Sequence, residues 1–293
     1  MLRLCNGRAP FLRELSGGSE YHSGVNIITL TTDFGEADWF VGTMKGVILG
    51  TLPRAQIVDI THAVAAGDIR AAAFALAASY RFFPRGTVHL AVVDPGVGSS
   101  RRAIAVESRD YLFVGPDNGV LSFALAREKI RAVHPITNEG IFLQPTSNTF
   151  HGRDVFAPVA ARLSKGLPIE KVGPSTEEFV KLKWPEPHRG KNSISGEIVY
   201  IDRFGNAITN IDHEAVPAPV ESGCEIFMRR KRLCALKRFY QAVPRGKPVA
   251  VFGSSGLLEL ALNGGPAARE FRWKVGERVM VRLKRRQYSS SRE

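Results

Sequence analysis

The chain has 293 residues, 44% hydrophobic and 23% charged, an ordinary globular composition with length for two domains that each bury a core. No window approaches the roughly 18 to 20 uninterrupted apolar residues of a membrane-spanning helix, and Cys5, Cys224 and Cys234 form neither a CxxC nor a Cys/His zinc pattern, so a membrane span and a zinc module are excluded and a reducing cytoplasm fits best. The net charge of +12 lies C-terminally: residues 1–26 carry +1, residues 27–180 balance at 0, and residues 181–293 set 22 basic against 11 acidic side chains.

Residues 1–26 hold Arg3, Arg8 and Arg13 without an apolar signal core and read as a disordered extension, with a transit peptide as the alternative. From Ile27 to residue 178, β-rich and helical segments alternate, the pattern of an α/β domain with a mostly parallel sheet flanked by helices. Strands are expected over 27–31, 56–60 and 87–93, then 103–107 and 111–114; helices over 38–49, 68–82, 118–127 and 154–163. The helix at 68–82 carries Ile69, Ala72, Ala73, Leu76, Ala77 and Tyr80 on one stripe, whose small residues permit close packing on a sheet.

Pro185, Pro187 and Gly190 among charged residues mark 179–191 as a linker. Beyond it, over 192–286, short β-branched runs at 196–201, 207–211, 225–228, 248–252 and 278–283 predict a smaller antiparallel β domain, barrel or sandwich, with a disordered tail at 287–293. The basic runs Arg229 to Arg232, Lys237-Arg238 and Lys284 to Arg286 are read as a solvated face and tail, because no nucleic-acid-binding module is legible.

Chemistry concentrates where polar residues break apolar sequence. Val93-Asp94-Pro95-Gly96-Val97-Gly98-Ser99-Ser100-Arg101-Arg102 ends a strand in a carboxylate, a glycine turn and two arginines. The carboxyl ends of strands are where open α/β sheets place ligands, although Asp-Pro-Gly is also ordinary turn chemistry. Three further islands are Thr31-Thr32-Asp33-Phe34-Gly35, Thr149-Phe150-His151-Gly152-Arg153-Asp154 and Asp202-Arg203-Phe204-Gly205-Asn206. There is no G-x-G-x-x-G, Walker A or H-E-x-x-H sequence, and His62, His89 and His134 lack metal-ligand spacing and read as structural. Asp117-Asn118-Gly119 reads as a turn into a helix.

Together with Val58-Asp59-Ile60-Thr61-His62, Gly115-Pro116-Asp117-Asn118-Gly119 and Gly253-Ser254-Ser255-Gly256, these motifs closely resemble the S-adenosylmethionine hydroxide adenosyltransferases, relatives of fluorinases and chlorinases, from Ile27 to about Arg269. The resemblance implies hydrolysis of S-adenosyl-L-methionine to adenosine and L-methionine by attack of water or hydroxide at the ribose 5′ carbon, with no metal or organic cofactor. It maps the family's Asp-Arg-His triad onto Asp94, Arg101 and His151. It also implies Asp33 for the ribose hydroxyls, Asp202 for the methionine ammonium, Phe204 and Asn206 near the adenine, Ser254 by the methionine end and Tyr240 stacking on the adenine. The resemblance implies that fluorinases carry tyrosines in place of Asp94 and His151, an arginine in place of Ser255 and a serine in place of Gly152.

The same resemblance implies a homotrimer whose sites lie between the N-terminal domain of one subunit and the C-terminal domain of the next. Bulk water has a pKa of about 15.7, so without a metal it must be oriented and its developing hydroxide character stabilised. An acceptor carboxylate at Asp94, a guanidinium at Arg101 and an imidazole at His151 can do this together. Two other readings compete: a halide-using adenosyltransferase, disfavoured by Asp94 and His151, and a non-catalytic adenosine or S-adenosylmethionine binding protein.

Overall fold

The computed structural model describes residues 26–216 and 224–283, which fall into two compact units divided between Lys183 and Trp184. The N-terminal extension, Cys5, the Lys284 to Arg286 run and the tail at 287–293 lie outside the described residues.

In the first unit, β1 (Ile27–Thr32), β2 (Gln56–Thr61), β3 (Val88–Val92), β4 (Ala103–Ser108), β5 (Leu112–Pro116) and β6 (Ile130–Pro135) form one sheet in the order β2-β1-β3-β5-β4-β6. The pairings β1 with β2, β1 with β3 and β3 with β5 are parallel, and β4 pairs antiparallel with β5 and β6. The expected mostly parallel sheet is present, with the 103–107 and 111–114 runs forming an antiparallel hairpin. β1 and β3 are apolar or threonine-rich and almost wholly buried, as strands covered on both faces must be. Side chains alternate along β1: Ile28 and Leu30 enter a core with Met44 and Ile48 of α1 (Phe40–Thr51) and Val159 and Leu163 of α4 (Ala157–Ser164). Thr29 points the other way, toward His89 and the Tyr80, Tyr111 and Phe113 rings, beside α2 (Ile69–Ser79).

Several expected boundaries move, each for a local reason. The helix at 38–49 begins at Phe40, after bends at residues 36–39, and runs to Thr51 before Pro53. The helix at 68–82 is α2 capped by Asp68, whose carboxylate accepts from the Ala71 N–H, and a 3₁₀ turn finishes it over Tyr80–Phe82. The helix expected over 118–127 shrinks to α3 (Ser122–Leu125), because Asn118 spends its amide on the Val93 carbonyl and Val120 N–H while Gly119 turns with φ +96°. The helix at 154–163 begins as a wide π turn over Gly152–Phe156.

The second unit is an antiparallel sheet of β7 (His188–Arg189), β8 (Ser193–Ile201), β9 (Ala207–Asp212), β10 (Glu225–Met228), β11 (Lys231–Ala235), β12 (Pro248–Phe252), β13 (Leu257–Leu262) and β14 (Arg278–Arg282), with α5 (Ala267–Glu270) before β14. Its order is β11-β10-β14-β8-β9-β13-β12, with β7 on β8. A bridge between Leu236 and Ala250 joins the strands at either end, so the sheet curls into a nearly closed barrel, the first of the two architectures the sequence allowed. Ile194, Ile198, Ile226, Leu258, Leu260, Trp273 and Val281 fill its core.

Candidate active site

β3 delivers Val93 and then Asp94 at its carboxyl end. The following loop folds back tightly. Gly98 has φ +77°, and a Cβ there would lie 2.2 Å from the Asn148 carbonyl oxygen, so only glycine permits this approach. The turn returns Arg101 to Asp94 as a two-pronged pair: Nε donates to Oδ1 at 2.9 Å and Nη2 to Oδ2 at 2.5 Å. Both side chains are largely buried, with 12% and 5% exposed. Arg102 faces the other way and donates through Nε and Nη2 to Asp117 Oδ2. With Asn118 holding the Val93 carbonyl, the 115–119 turn is more than a helix entry: it pins both ends of the Asp94 loop. Asp117 also accepts from the Val180 N–H and Arg102 donates to the Glu178 carbonyl, so the start of the predicted linker is fastened to this unit.

His151 arrives from a different element. Pro158 has no N–H to return to the Asp154 carbonyl, which instead accepts from the Leu143 N–H at 2.8 Å, while the Ala157 N–H reaches five residues back to Gly152. Single π turns of this kind recur at functional sites. Asp154, fully buried, accepts from Arg153 and from the Ser147 N–H, which fixes the 143–149 loop beside the turn. His151 Nδ1 lies 2.8 Å from Arg101 Nη2. A guanidinium only donates, so Nδ1 accepts and the imidazole proton sits on Nε2. Burial lowers the His151 pKa below its usual range, and the Arg101 charge lowers it further against the opposing pull of Asp94 and Asp154. The side chain is neutral at physiological pH. The Arg101 guanidinium also lies 5.2 Å over the Phe156 ring.

The structure thus brings Asp94, Arg101 and His151 into one hydrogen-bonded chain. Asp94 and His151 border a cavity of about 180 Å³ whose other walls include Phe34, Phe40, Phe150 and Thr149. Phe150 meets both Phe34 and Phe40 edge to face, with ring centroids 5.9 and 5.1 Å away. Gly152 sits against this wall: a Cβ would come within 3.1 to 3.3 Å of Phe150, Met44 and Phe34. Asp33, in the turn after β1, is half-buried and accepts from the Gly67 N–H at 2.8 Å through Oδ2.

The remaining predicted site residues belong to the second unit. Asp202 accepts from the Asn206 N–H at 2.8 Å and its side-chain amide at 3.1 Å, closing a turn through Gly205. Phe204 is 76% exposed and Tyr240 is 40% exposed. Tyr240 donates its hydroxyl to Glu259 Oε2 at 2.6 Å. Burial raises the Glu259 pKa, with Asp202 adding to the rise. Ser254 is exposed, while the neighbouring Ser255 Oγ is buried with no hydrogen-bond partner.

Sequence reasoning missed Phe40 and Glu259. Phe40 gave no signal beyond an apolar helix start. Glu259 could have been found as the lone charge inside the apolar run Leu257 to Leu262. Of the histidines read as structural, His89 bonds Thr29 Oγ1 and His134 bonds the Gly173 carbonyl, each at 2.8 Å. No group of three or more His, Cys, Asp and Glu among the described residues is arranged to hold a metal ion.

Residues 28–173 match the model of the SAM hydroxide adenosyltransferase N-terminal domain, and residues 196–280 match that of its C-terminal domain. An "(R)-S-adenosyl-L-methionine hydrolase" of Thermus thermophilus is 41% identical over 261 residues, covering 86% of this chain and 97% of its own. A fluorinase of an Actinoplanes species is more distant, 27% identical over 292 residues, covering 88% of this chain and 98% of its own. The crystal structure of a conserved protein from Thermotoga maritima superposes with a TM-score of 0.82 at 36% identity, covering 88% of this chain and all of that one.

Proposed function

The chain belongs to the SAM hydroxide adenosyltransferase family, and from that premise we propose that it is an S-adenosyl-L-methionine hydrolase whose catalytic triad is Asp94, Arg101 and His151. The single observation that carries the residue assignment is the bonding of Arg101 to both Asp94 and His151, two of the residues that border one small cavity. A water in that cavity donates to a free lone pair of Asp94 and accepts from His151 Nε2–H, which aims its own lone pair at the ribose 5′ carbon. The C5′–O bond forms as the C5′–S bond breaks, and that electron pair stays on sulfur in neutral methionine thioether. The proton lost from the attacking oxygen passes to Asp94 and then to solvent. Arg101 offsets the negative charge that gathers on the oxygen as the proton leaves. The aromatic wall keeps other water out, and a dry site favours a step in which a cationic sulfonium is discharged.

Asp33 takes the ribose hydroxyls, Asp202 the methionine ammonium, Phe204, Tyr240 and Asn206 the adenine, and Ser254 the methionine end. A cavity of about 180 Å³ is smaller than the roughly 300 to 1,000 Å³ that typical small-molecule sites provide. The rest of the substrate therefore needs further walls, and a homotrimer in which one subunit's second unit meets the next subunit's first would supply them. The reaction as drawn uses no metal or organic cofactor. No helix among the described residues is long and apolar enough to cross a membrane. Cys224 and Cys234 are buried and not disulfide-bonded, which is consistent with the reducing cytoplasm we propose.

The test is product analysis with the purified protein dialysed against a chelator. Adenosine and methionine should appear in equal amounts, unaffected by the chelator, with no 5′-halo-5′-deoxyadenosine in the presence of chloride or fluoride. Asp94→Ala and His151→Ala should lose turnover more than substrate binding, and full activity in both would remove the triad.

A further inference from the structure

Two threonine–histidine pairs flank β1, and only one has a reason to matter for chemistry. Thr29 Oγ1 bonds His89 Nδ1 at 2.8 Å in the interior of the sheet, and His89 Nε2 meets no partner. Thr32 Oγ1 bonds His62 Nδ1 at the same distance, but this pair sits at the strand's end, where β2 runs parallel to β1 with Thr61 beside Thr31. His62 Nε2, like His89 Nε2, makes no hydrogen bond of good geometry, but unlike it faces a carboxylate, Asp59 Oδ1 at 3.0 Å, and Asp59 Oδ2 is held by Lys45 Nζ at 2.6 Å. Because the carboxylate can only accept, the ring proton sits on Nε2 and Nδ1 accepts from the Thr32 hydroxyl. The Thr32 oxygen in turn receives the Phe34 N–H at 3.3 Å, and the His62 carbonyl receives the Gly35 N–H at 2.8 Å. His62 therefore grips the 32–35 turn through side chain and backbone at once. The loop that follows it reaches Asp33 itself through the Gly67 N–H.

We propose that His62, oriented by Asp59, is a positioning residue that sets the Asp33 carboxylate for the substrate's vicinal ribose hydroxyls. The inference rests on the reading of Asp33 as the ribose-binding carboxylate. His62 is buried, with no role in the proton path drawn above, and it acts through the turn. A carboxylate on a mobile turn would still attract one hydroxyl; accepting both at once requires its angle to be held.

The experiment compares kcat/KM for S-adenosylmethionine and for its 2′-deoxy analogue, reading the preference for the intact diol beside the melting temperature of each variant. Thr32→Val removes the hydroxyl without changing shape. It should cut that preference about fivefold to tenfold, mainly through KM, as the loss of one hydrogen-bonded support implies. Thr32→Ser should restore it. Thr29→Val, which breaks the matching bond at His89, should lower the melting temperature and leave the preference unchanged. If Thr32→Val fails to fold, Asp59→Ala at the half-exposed end of the chain should shift the preference in the same direction. Unchanged preference in the folded variant overturns the inference while the ribose reading stands, provided that Asp33→Asn abolishes the preference. Full preference retained in Asp33→Asn overturns the ribose reading and the inference with it.

Discussion

Arg101→Lys isolates geometry from charge. Arginine reaches Asp94 through two donors, at 2.9 and 2.5 Å, and passes its Nη2 to His151 Nδ1 at 2.8 Å. Lysine keeps the positive charge and one bond to Asp94, but a single ammonium cannot present the planar fork or reach both partners at once. A hydrogen bond to a charged group is worth about 1.5–3 kcal/mol. Losing one prong and the histidine link, with partial compensation by the ammonium, leaves about 2–3 kcal/mol off transition-state stabilisation. That is about a 30- to 160-fold fall in kcat. Stability should change little, since Asp94 keeps a counter-charge, whereas Arg101→Met strands a carboxylate of 5% exposure and should cost about 3–5 kcal/mol of folding energy. Adenosine release at saturating substrate, with urea denaturation on the same preparations, reads both effects. Arg101→Lys turning over within threefold of the parent would refute the claim that the fork organises the triad.

Because Nδ1 of His151 must be unprotonated to accept from Arg101, and burial with the Arg101 charge lowers its pKa from 6.5, the acidic limb of kcat should have its midpoint below that value. A pH–rate profile whose acidic limb lies above 6.5 contradicts the assigned tautomer. His89 provides a stability signature: burial depresses its pKa from 6.5 to about 3. The unfolded chain therefore binds the extra proton throughout that window, and this group withdraws stability as pH falls, by about 1.4 kcal/mol per pH unit. Denaturation across that range should lose this slope in His89→Phe; an unaltered slope would assign the loss elsewhere. Gly98→Ala forces a side chain into φ +77° and to 2.2 Å from the Asn148 oxygen. It should cost about 1–3 kcal/mol of stability and most of the activity, by moving the loop that carries Arg101, and a melting curve with turnover at 25 °C checks both.

The strands with β-branched periodicity were legible, and those whose burial overrides propensity were not. Leu257 to Leu262 is a buried strand paired on both sides and built from leucine, alanine and glutamate, residues that favour helices in isolation. β11 hides behind a turn in which Arg229 and Arg230 adopt positive φ, where Asn-Gly would have announced a hairpin. Asp94, Arg101 and His151 were readable as candidates because each stands in a polar break within apolar sequence. What was not readable is the order of bonding. Asp94 and Arg102 are eight residues apart, and nothing in their spacing says that Arg101 turns inward to Asp94 while Arg102 turns to Asp117. Nor does the sequence announce that Pro158 frees the Asp154 carbonyl for Leu143, the exchange that shapes the π turn behind His151.

The bonding order bears on the choice between water and halide. Asp94 carries a negative charge, Arg101 a positive one bound directly to it, and His151 is kept neutral, so the three together offer no net positive charge to the cavity that Asp94 and His151 border. An anion entering that space would have to shed its hydration shell beside a carboxylate, with phenylalanine edges as the main compensation, a transfer that costs several kcal/mol. Water meets the same surroundings on better terms. In the mechanism proposed above, Asp94 accepts a hydrogen bond from it and His151 Nε2–H donates one to it, and neither bond separates charge before the proton moves to Asp94 during attack on the sulfonium. A site that held halide would need donors freed from the carboxylate. Here the guanidinium that could have served is committed to Asp94 through both prongs, and Gly152 contributes no hydroxyl beside the aromatic wall.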